Sequence, residues 1–113
     1  RYTMNNLISL FKVLSDETRL RIIHLLNNHD LCVCEMVEVL DLVQPKISKH
    51  ISKIKTTDLI TSSRNEQYIY YSLNKDSSLY PILALILDES KENQMFIDDI
   101  NKLNTIETFV CER

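Results

Sequence analysis

Apolar positions in the first half of the chain recur every three or four residues. Leu7, Ile8, Leu10, Phe11 and Leu14 follow that spacing, and Leu20, Ile22, Ile23, Leu25 and Leu26 repeat it, so two amphipathic helices are predicted. Asp16 suits the N-cap of the second, because its carboxylate can accept an orphan backbone N–H. Asn27-Asn28-His29-Asp30 breaks the pattern. A third helix is predicted from about Val33 to Leu40, with Met36, Val37, Val39 and Leu40 inward. A turn at Asp41-Leu42 leads to a fourth, with Pro45 in its first turn, where a missing N–H is no loss. Its apolar positions are Ile47, Ile51 and Ile54, at i, i+4 and i+7.

The period then changes. Leu59 to Ser63 and Tyr68 to Leu73 are rich in β-branched and aromatic residues and read as two strands joined by Arg64-Asn65-Glu66-Gln67. After Asn74-Lys75-Asp76, Ser77 or Ser78 can cap a helix with Pro81 in its first turn and Leu79, Ile82, Leu83, Ile86 and Leu87 apolar. The polar stretch Asp88–Gln94 is either continuous helix or a break, and Met95, Phe96, Ile100 and Leu103 resume the pattern. Four helices, a hairpin and a C-terminal helix give an α+β, mostly helical fold. Two short helices across a tight turn, followed by a hairpin, make it a winged helix-turn-helix with a two-stranded wing. A helical bundle with an incidental hairpin has the same element order, so function rests on the motifs.

A length of 113 residues argues for one domain, 1–113, with a thin core that burial against a partner would help. No run of about 18 apolar residues reads as a membrane span, and no signal peptide is predicted. The formal charge of −3 is wrong for a protein that holds nucleic acid by its overall charge. Its distribution is not: Leu42 to Thr57 holds four lysines, His50 and no acid, whereas Asp88 to Arg113 holds seven acids against three bases. A basic segment on an acidic body can bind DNA locally, with the acidic part facing away. The chain has no glycine, so Asn and Asp are expected wherever a left-handed backbone is needed. Three cysteines in this spacing do not form a secreted disulfide framework, which points to a reducing, cytoplasmic setting. The C-x-x-C spacing and βαβ pattern of a thiol oxidoreductase are lacking, so no enzyme is expected.

Four segments carry a resemblance. Leu10-Phe11-Lys12-Val13-Leu14-Ser15-Asp16-Glu17-Thr18-Arg19-Leu20-Arg21-Ile22, Asp30-Leu31-Cys32-Val33-Cys34-Glu35, Gln44-Pro45-Lys46-Ile47-Ser48-Lys49-His50 and Tyr68-Ile69-Tyr70-Tyr71-Ser72-Leu73 stand in one order and spacing. In turn they resemble the opening signature, sensing motif, recognition helix and second wing strand of the ArsR/SmtB family of metal-responsive repressors. The resemblance covers about Leu7 to Leu73. It implies a homodimer on double-stranded operator DNA, with a recognition helix over about 43–56 and a wing over about 59–73. Dimerisation would run through about 4–14 and 78–105, with Leu7, Phe11, Leu79, Ile82, Leu83 and Ile86 at the interface.

With the isoleucines inward, the exposed arc of the fourth helix carries Pro45, Lys46, Ser48, Lys49, Ser52, Lys53 and Thr56. Lys46, Ser48 and Lys49 are placed for base edges in the major groove, and Gln44 either reads adenine or holds the backbone. Lys53 and Lys55 contact phosphates or solvent, and Arg64 and Gln67 of the wing turn contact the DNA backbone or minor groove. His50 lies between arc and core, touching DNA or packing on the helix before it.

Cys32 takes the cap position of a Ser/Thr-x-x-Glu helix entry, with Glu35 as its partner, although a thiol caps poorly. A cap residue is not helical, so Cys32 and Cys34 can turn both sulfurs toward one soft ion if the first turn unwinds. The arsenic-sensing members that the chain most resembles carry a third cysteine one turn on, where this chain has Val37. Cys111 can supply that thiolate, from its own chain or the partner, unless a small thiol or water does. The inducer implied is arsenite or antimonite, with no organic cofactor. Cadmium or lead sensing, and thiol-redox control through a disulfide or polysulfide, stand as alternatives. Zinc-type members use acids and His on the last helix, and no His follows Asp76 here. His29 lies near the pair, but a loop histidine is ordinarily solvated.

Overall fold

The computed structural model describes residues 3–106. In chain order they form α1 (Met4–Leu14), α2 (Glu17–Leu26), β1 (Leu31–Cys32), α3 (Val33–Leu40), α4 (Gln44–Lys55), β2 (Ile60–Asn65), β3 (Tyr68–Leu73), α5 (Tyr80–Ser90) and α6 (Gln94–Thr105). The helices start where capping chemistry places them. Thr3 accepts the Asn6 N–H at 3.1 Å, and Asp16 accepts the Arg19 N–H at 3.1 Å. Among the described residues no helix is long and apolar enough to cross a membrane.

The two strands read from the sequence are present as the β2–β3 wing, and they belong to a larger sheet. β1 pairs antiparallel with β3, Leu31 opposite Tyr71 and Cys32 opposite Tyr70, so the sheet has three strands in the order β1-β3-β2. Two residues are too few to show a period of two, and β1 is a strand only because β3 supplies its partners. β2 pairs with β3 along its whole length, from Ile60 opposite Leu73 to Asn65 opposite Tyr68. The hairpin turn is therefore two residues, Glu66-Gln67. Left-handed backbone falls on Asp41 (φ 55°), Asp58 (φ 64°) and Glu66 (φ 60°). Aspartate takes two of these positions as expected, but glutamate rather than asparagine takes the third. At the end of α3, the Asp41 N–H donates to Val37 O at 2.9 Å, closing the helix as a glycine usually does.

α2 lies at the centre, with Ile22, Ile23, Leu25 and Leu26 buried. The C-terminal segment is two helices, not one. The chain turns over 91–93, and Asn93 restarts it by accepting the Met95 N–H at 3.0 Å. Neither predicted serine caps α5, which begins after Leu79, while Ser77 Oγ accepts the Leu79 N–H at 3.2 Å. α6 turns back onto α2. Arg21 donates to both carboxylate oxygens of the buried Asp99, Nε to Oδ2 at 2.9 Å and Nη2 to Oδ1 at 2.8 Å. His24 stacks on Phe96 with ring centroids 3.8 Å apart, and its Nε2 lies 2.9 Å from Ser90 Oγ. That hydroxyl donates to Ile86 O at 2.7 Å, so His24 Nε2–H is the donor. Burial holds the His24 pKa below its ordinary 6.5, against the opposing charge of Asp99.

This packing changes the expected partner face. Leu79 and Leu83 are buried in the chain's own core, so they leave almost no surface for a second copy. Ile82, Ile86 and Leu7 are half-buried. The exposed apolar side chains of α1 and α5 are others: Leu85 of α5 is 62% exposed, and Met4, Ile8 and Phe11 of α1 are 72%, 43% and 57% exposed.

Candidate nucleic-acid interface and sensing motif

α4 is fixed from below. Ile47, Ile51 and Ile54 are buried, which turns Gln44, Pro45, Lys46, Lys49, Ser52, Lys53 and Thr56 outward and leaves Ser48 half-covered. No side chain caps its N-terminus and no acid stands in its first turn. The positive end of the helix dipole is therefore uncompensated, an arrangement that accepts a backbone phosphate. Lys46 and Lys49 occupy that end. Lys53 stands elsewhere, on a cavity of about 450 Å³ that it shares with Lys12 and Arg19. Lys55 is partly engaged within the chain, its Nζ 5.8 Å from the centre of the Tyr71 ring on β3.

His50 faces inward rather than into the arc, and its ring meets Arg19 and the N-cap Asp16 of α2. Its Nδ1 lies 3.3 Å from Arg19 Nη1 and 3.9 Å from Asp16 Oδ1. Burial lowers its pKa below 6.5, and the charges of Arg19, Lys46 and Lys53 act the same way against Asp16. The Asp16 carboxyl is also held down: burial would raise it, but the Arg19 N–H and the His50 and Arg19 charges outweigh that. In the wing, Arg64 stands opposite Ile69 on an exposed stretch, and Gln67 Nε2 donates to Tyr68 Oη at 3.1 Å.

The two cysteines of the sensing motif meet different surroundings. Cys32 is the extended N-cap of α3, 3% exposed, with its N–H donating to Glu35 Oε1 at 3.0 Å in the expected capping-box arrangement. Cys34 is exposed in the first turn. Val37, where the resembled members have a third cysteine, is half-buried. Among the described residues no three His, Cys, Asp or Glu side chains are grouped to hold a metal ion. Cys111 lies outside the described residues. A cavity of about 350 Å³ joins the motif to the end of α6, lined by His29, Asp30, Leu31 and Glu35 on one side and Leu103, Asn104 and Ile106 on the other. Two soft donors two positions apart suit a thiophilic ion, provided Cys32 leaves its cap.

Arg19, Arg21, His24, Tyr71 and Asp99 escaped the sequence reading as interacting residues. Their partners are distant in the chain, and periodicity marks only burial. The Thr18-Arg19-Leu20-Arg21 signature was the one signal available for two of them.

The model of the arsR family of bacterial regulatory proteins matches residues 16–62. An arsenical resistance operon repressor of Escherichia coli (strain K12) is 38% identical over 84 residues, which are 74% of this chain and 70% of that protein. The cadmium resistance transcriptional regulatory protein CadC of Listeria innocua is 37% identical over 62 residues, 54% of this chain and 52% of that one. Among solved structures, the homodimeric winged helix-turn-helix domain Mb0332 of Mycobacterium bovis superposes with a TM-score of 0.65 at 17% identity, covering 80% of this chain and 85% of the other, which shows the fold. With the helix-turn-helix and the wing in place, the chain belongs to the arsR family of bacterial regulatory proteins and is a transcriptional regulator, not an enzyme.

Proposed function

We propose that this repressor binds double-stranded operator DNA as a homodimer and is released when arsenite or antimonite is captured by Cys32, Cys34 and Cys111. The observation that carries the reading is the placement of Cys32 and Cys34 across the first turn of α3, the helix that packs on the recognition helix. The name of the Escherichia coli relative supports the choice of ion. Three thiols and As(OH)₃ give As(SR)₃ and three waters, with no change of oxidation state. Cys32 must leave its cap to take part, which breaks the hydrogen bond to Glu35 and the register opposite Tyr70. Coupling of about 3 kcal/mol between ion and DNA would weaken DNA binding roughly 150-fold.

On the DNA side, Lys46, Lys49 and Ser48, with Gln44, serve base edges, and Arg64 and Gln67 serve the DNA backbone. His50 supports the helix from within, and the exposed Lys53 serves phosphates or solvent. Dimerisation uses Phe11, Leu7, Ile82 and Ile86, joined by Met4, Ile8 and Leu85. α5 is apolar almost all round, which in a helix with one side on the core calls for a partner on the other.

The test is a titration of the protein on a duplex that it selects from a random library, with arsenite, cadmium, lead, zinc and an oxidant. Arsenite should release the wild type. Cys32→Ser/Cys34→Ser should bind equally well, since serine is the better cap, and should not let go. Release of that variant at the wild-type arsenite concentration would refute the sensor assignment. Selective release by cadmium, as the CadC relative suggests, would replace the ion, and release by oxidant alone would favour the redox alternative.

A further inference from the structure

The last carbonyls of a helix have no partner within it. At the end of α1, Ser15 Oγ donates to Lys12 O at 2.7 Å, and Arg19 supplies two more donors, Nη2 to Lys12 O at 3.1 Å and Nε to Val13 O at 3.0 Å. The third arm of the same guanidinium, Nη1, lies 3.3 Å from His50 Nδ1 on α4. A guanidinium only donates, so Nδ1 is the acceptor and the ring proton sits on Nε2. Asp16 stands behind both groups, accepting the Arg19 N–H and lying 3.9 Å from His50 Nδ1. One planar, half-buried fork on α2 thus spans the end of α1 and the middle of α4. The carbonyls it grips belong to the two residues after Phe11, whose ring lies on the exposed apolar face of α1.

We infer that Arg19 is a positioning residue, which carries the geometry of the dimer into the recognition helix and so sets the half-site spacing that the protein accepts. The inference rests on the proposal that α1 meets a second copy and α4 meets DNA. In such a dimer α1 is anchored to the two-fold axis, and the angle between α1 and α4 decides how far apart the two recognition helices stand. Half-sites are read only when that distance matches the helical repeat of DNA. A rigid fork with three fixed donors holds an angle in a way that a lysine, with one flexible ammonium, does not.

The experiment compares wild type with Arg19→Lys on the library-selected operator and on duplexes with one or two base pairs added to or removed from its centre. Wild type should show a sharp optimum. Arg19→Lys should lose about tenfold at that optimum and much less at the other spacings, which flattens the profile. Its salt slope and sedimentation as a dimer should not change. Should Arg19→Lys fold poorly, His50 gives a second route: His50→Leu removes the acceptor and should flatten the profile, and His50→Gln restores an acceptor and should restore the optimum. A profile of unchanged shape, lowered equally at every spacing, would overturn the inference in favour of plain structural support. A salt slope reduced by about one would overturn it in favour of direct phosphate contact by Arg19. A monomeric wild type would remove the dimer reading beneath it, and sedimentation reports that separately.

Discussion

Replacing Asp99 by alanine should undock α6. Asp99 is 5% exposed and accepts both hydrogen bonds of the Arg21 fork. Removing one member of a buried ion pair strands the other, at about 3–5 kcal/mol. The Arg21 side chain keeps 20% exposure, so water can reach the stranded guanidinium, and the lower figure of about 3 kcal/mol applies. For a chain of this size that is a fall in melting temperature of about 10–15 °C. Melts should be recorded by circular dichroism at one fixed protein concentration, because association itself shifts the midpoint. Arg21→Met/Asp99→Leu removes both charges and should recover most of the loss, which makes the pair strongly non-additive. The exposed pair Lys91–Asp88, 3.0 Å apart, is the internal control, and Asp88→Ala should leave the midpoint where it was. α6 ends at the cavity beside Glu35 and His29, so Asp99→Ala should also blunt the arsenite response at temperatures where the rest is folded. A fall of less than about 3 °C, or equal losses that simply add in the double variant, would refute the reasoning.

His24 and His50 both have folded-state pKa values below 6.5, so the unfolded chain takes up protons first as the pH drops. Their contribution is fully present above pH 6.5 and lost as the pH falls through the folded values, so the urea midpoint should be lower at pH 5.5 than at pH 7.5; a midpoint that rises would contradict it. Lys49→Ala should weaken operator binding and blur sequence preference, while Lys55→Ala should weaken all duplexes alike. The contact of Lys55 with Tyr71 should make its change in salt slope smaller than the value of about one for a free phosphate contact, and a full unit would show that the contact opens on DNA. Phe11→Asp or Leu85→Asp places a charge on the exposed apolar face and should give monomers by sedimentation at micromolar concentration, whereas intact dimers would move the interface elsewhere.

The helices that carry function could be read because their information is local. Ile47, Ile51 and Ile54 fall on one stripe whatever lies beneath it, so the exposed arc of α4 followed from spacing alone. Asp16 as a cap and the Cys32–Glu35 capping box are likewise contained within three or four residues. Tertiary structure decided the features whose partners are remote. β1 exists only because β3 lies beside it, and that pairing ties Cys32 to the wing. α5 is apolar on nearly every side, so periodicity could not choose between core and surface; packing turned Leu79 and Leu83 inward and Leu85 outward. The polar stretch from Asp88 to Gln94 is compatible with helix, and it breaks because Asp99 and Phe96 must reach Arg21 and His24 on α2. His50 was ambiguous on its helix until Arg19, 31 residues away, offered it a donor. Short-range periodicity and capping are encoded by neighbours in sequence, whereas the docking of one element on another depends on side chains brought together only by the fold.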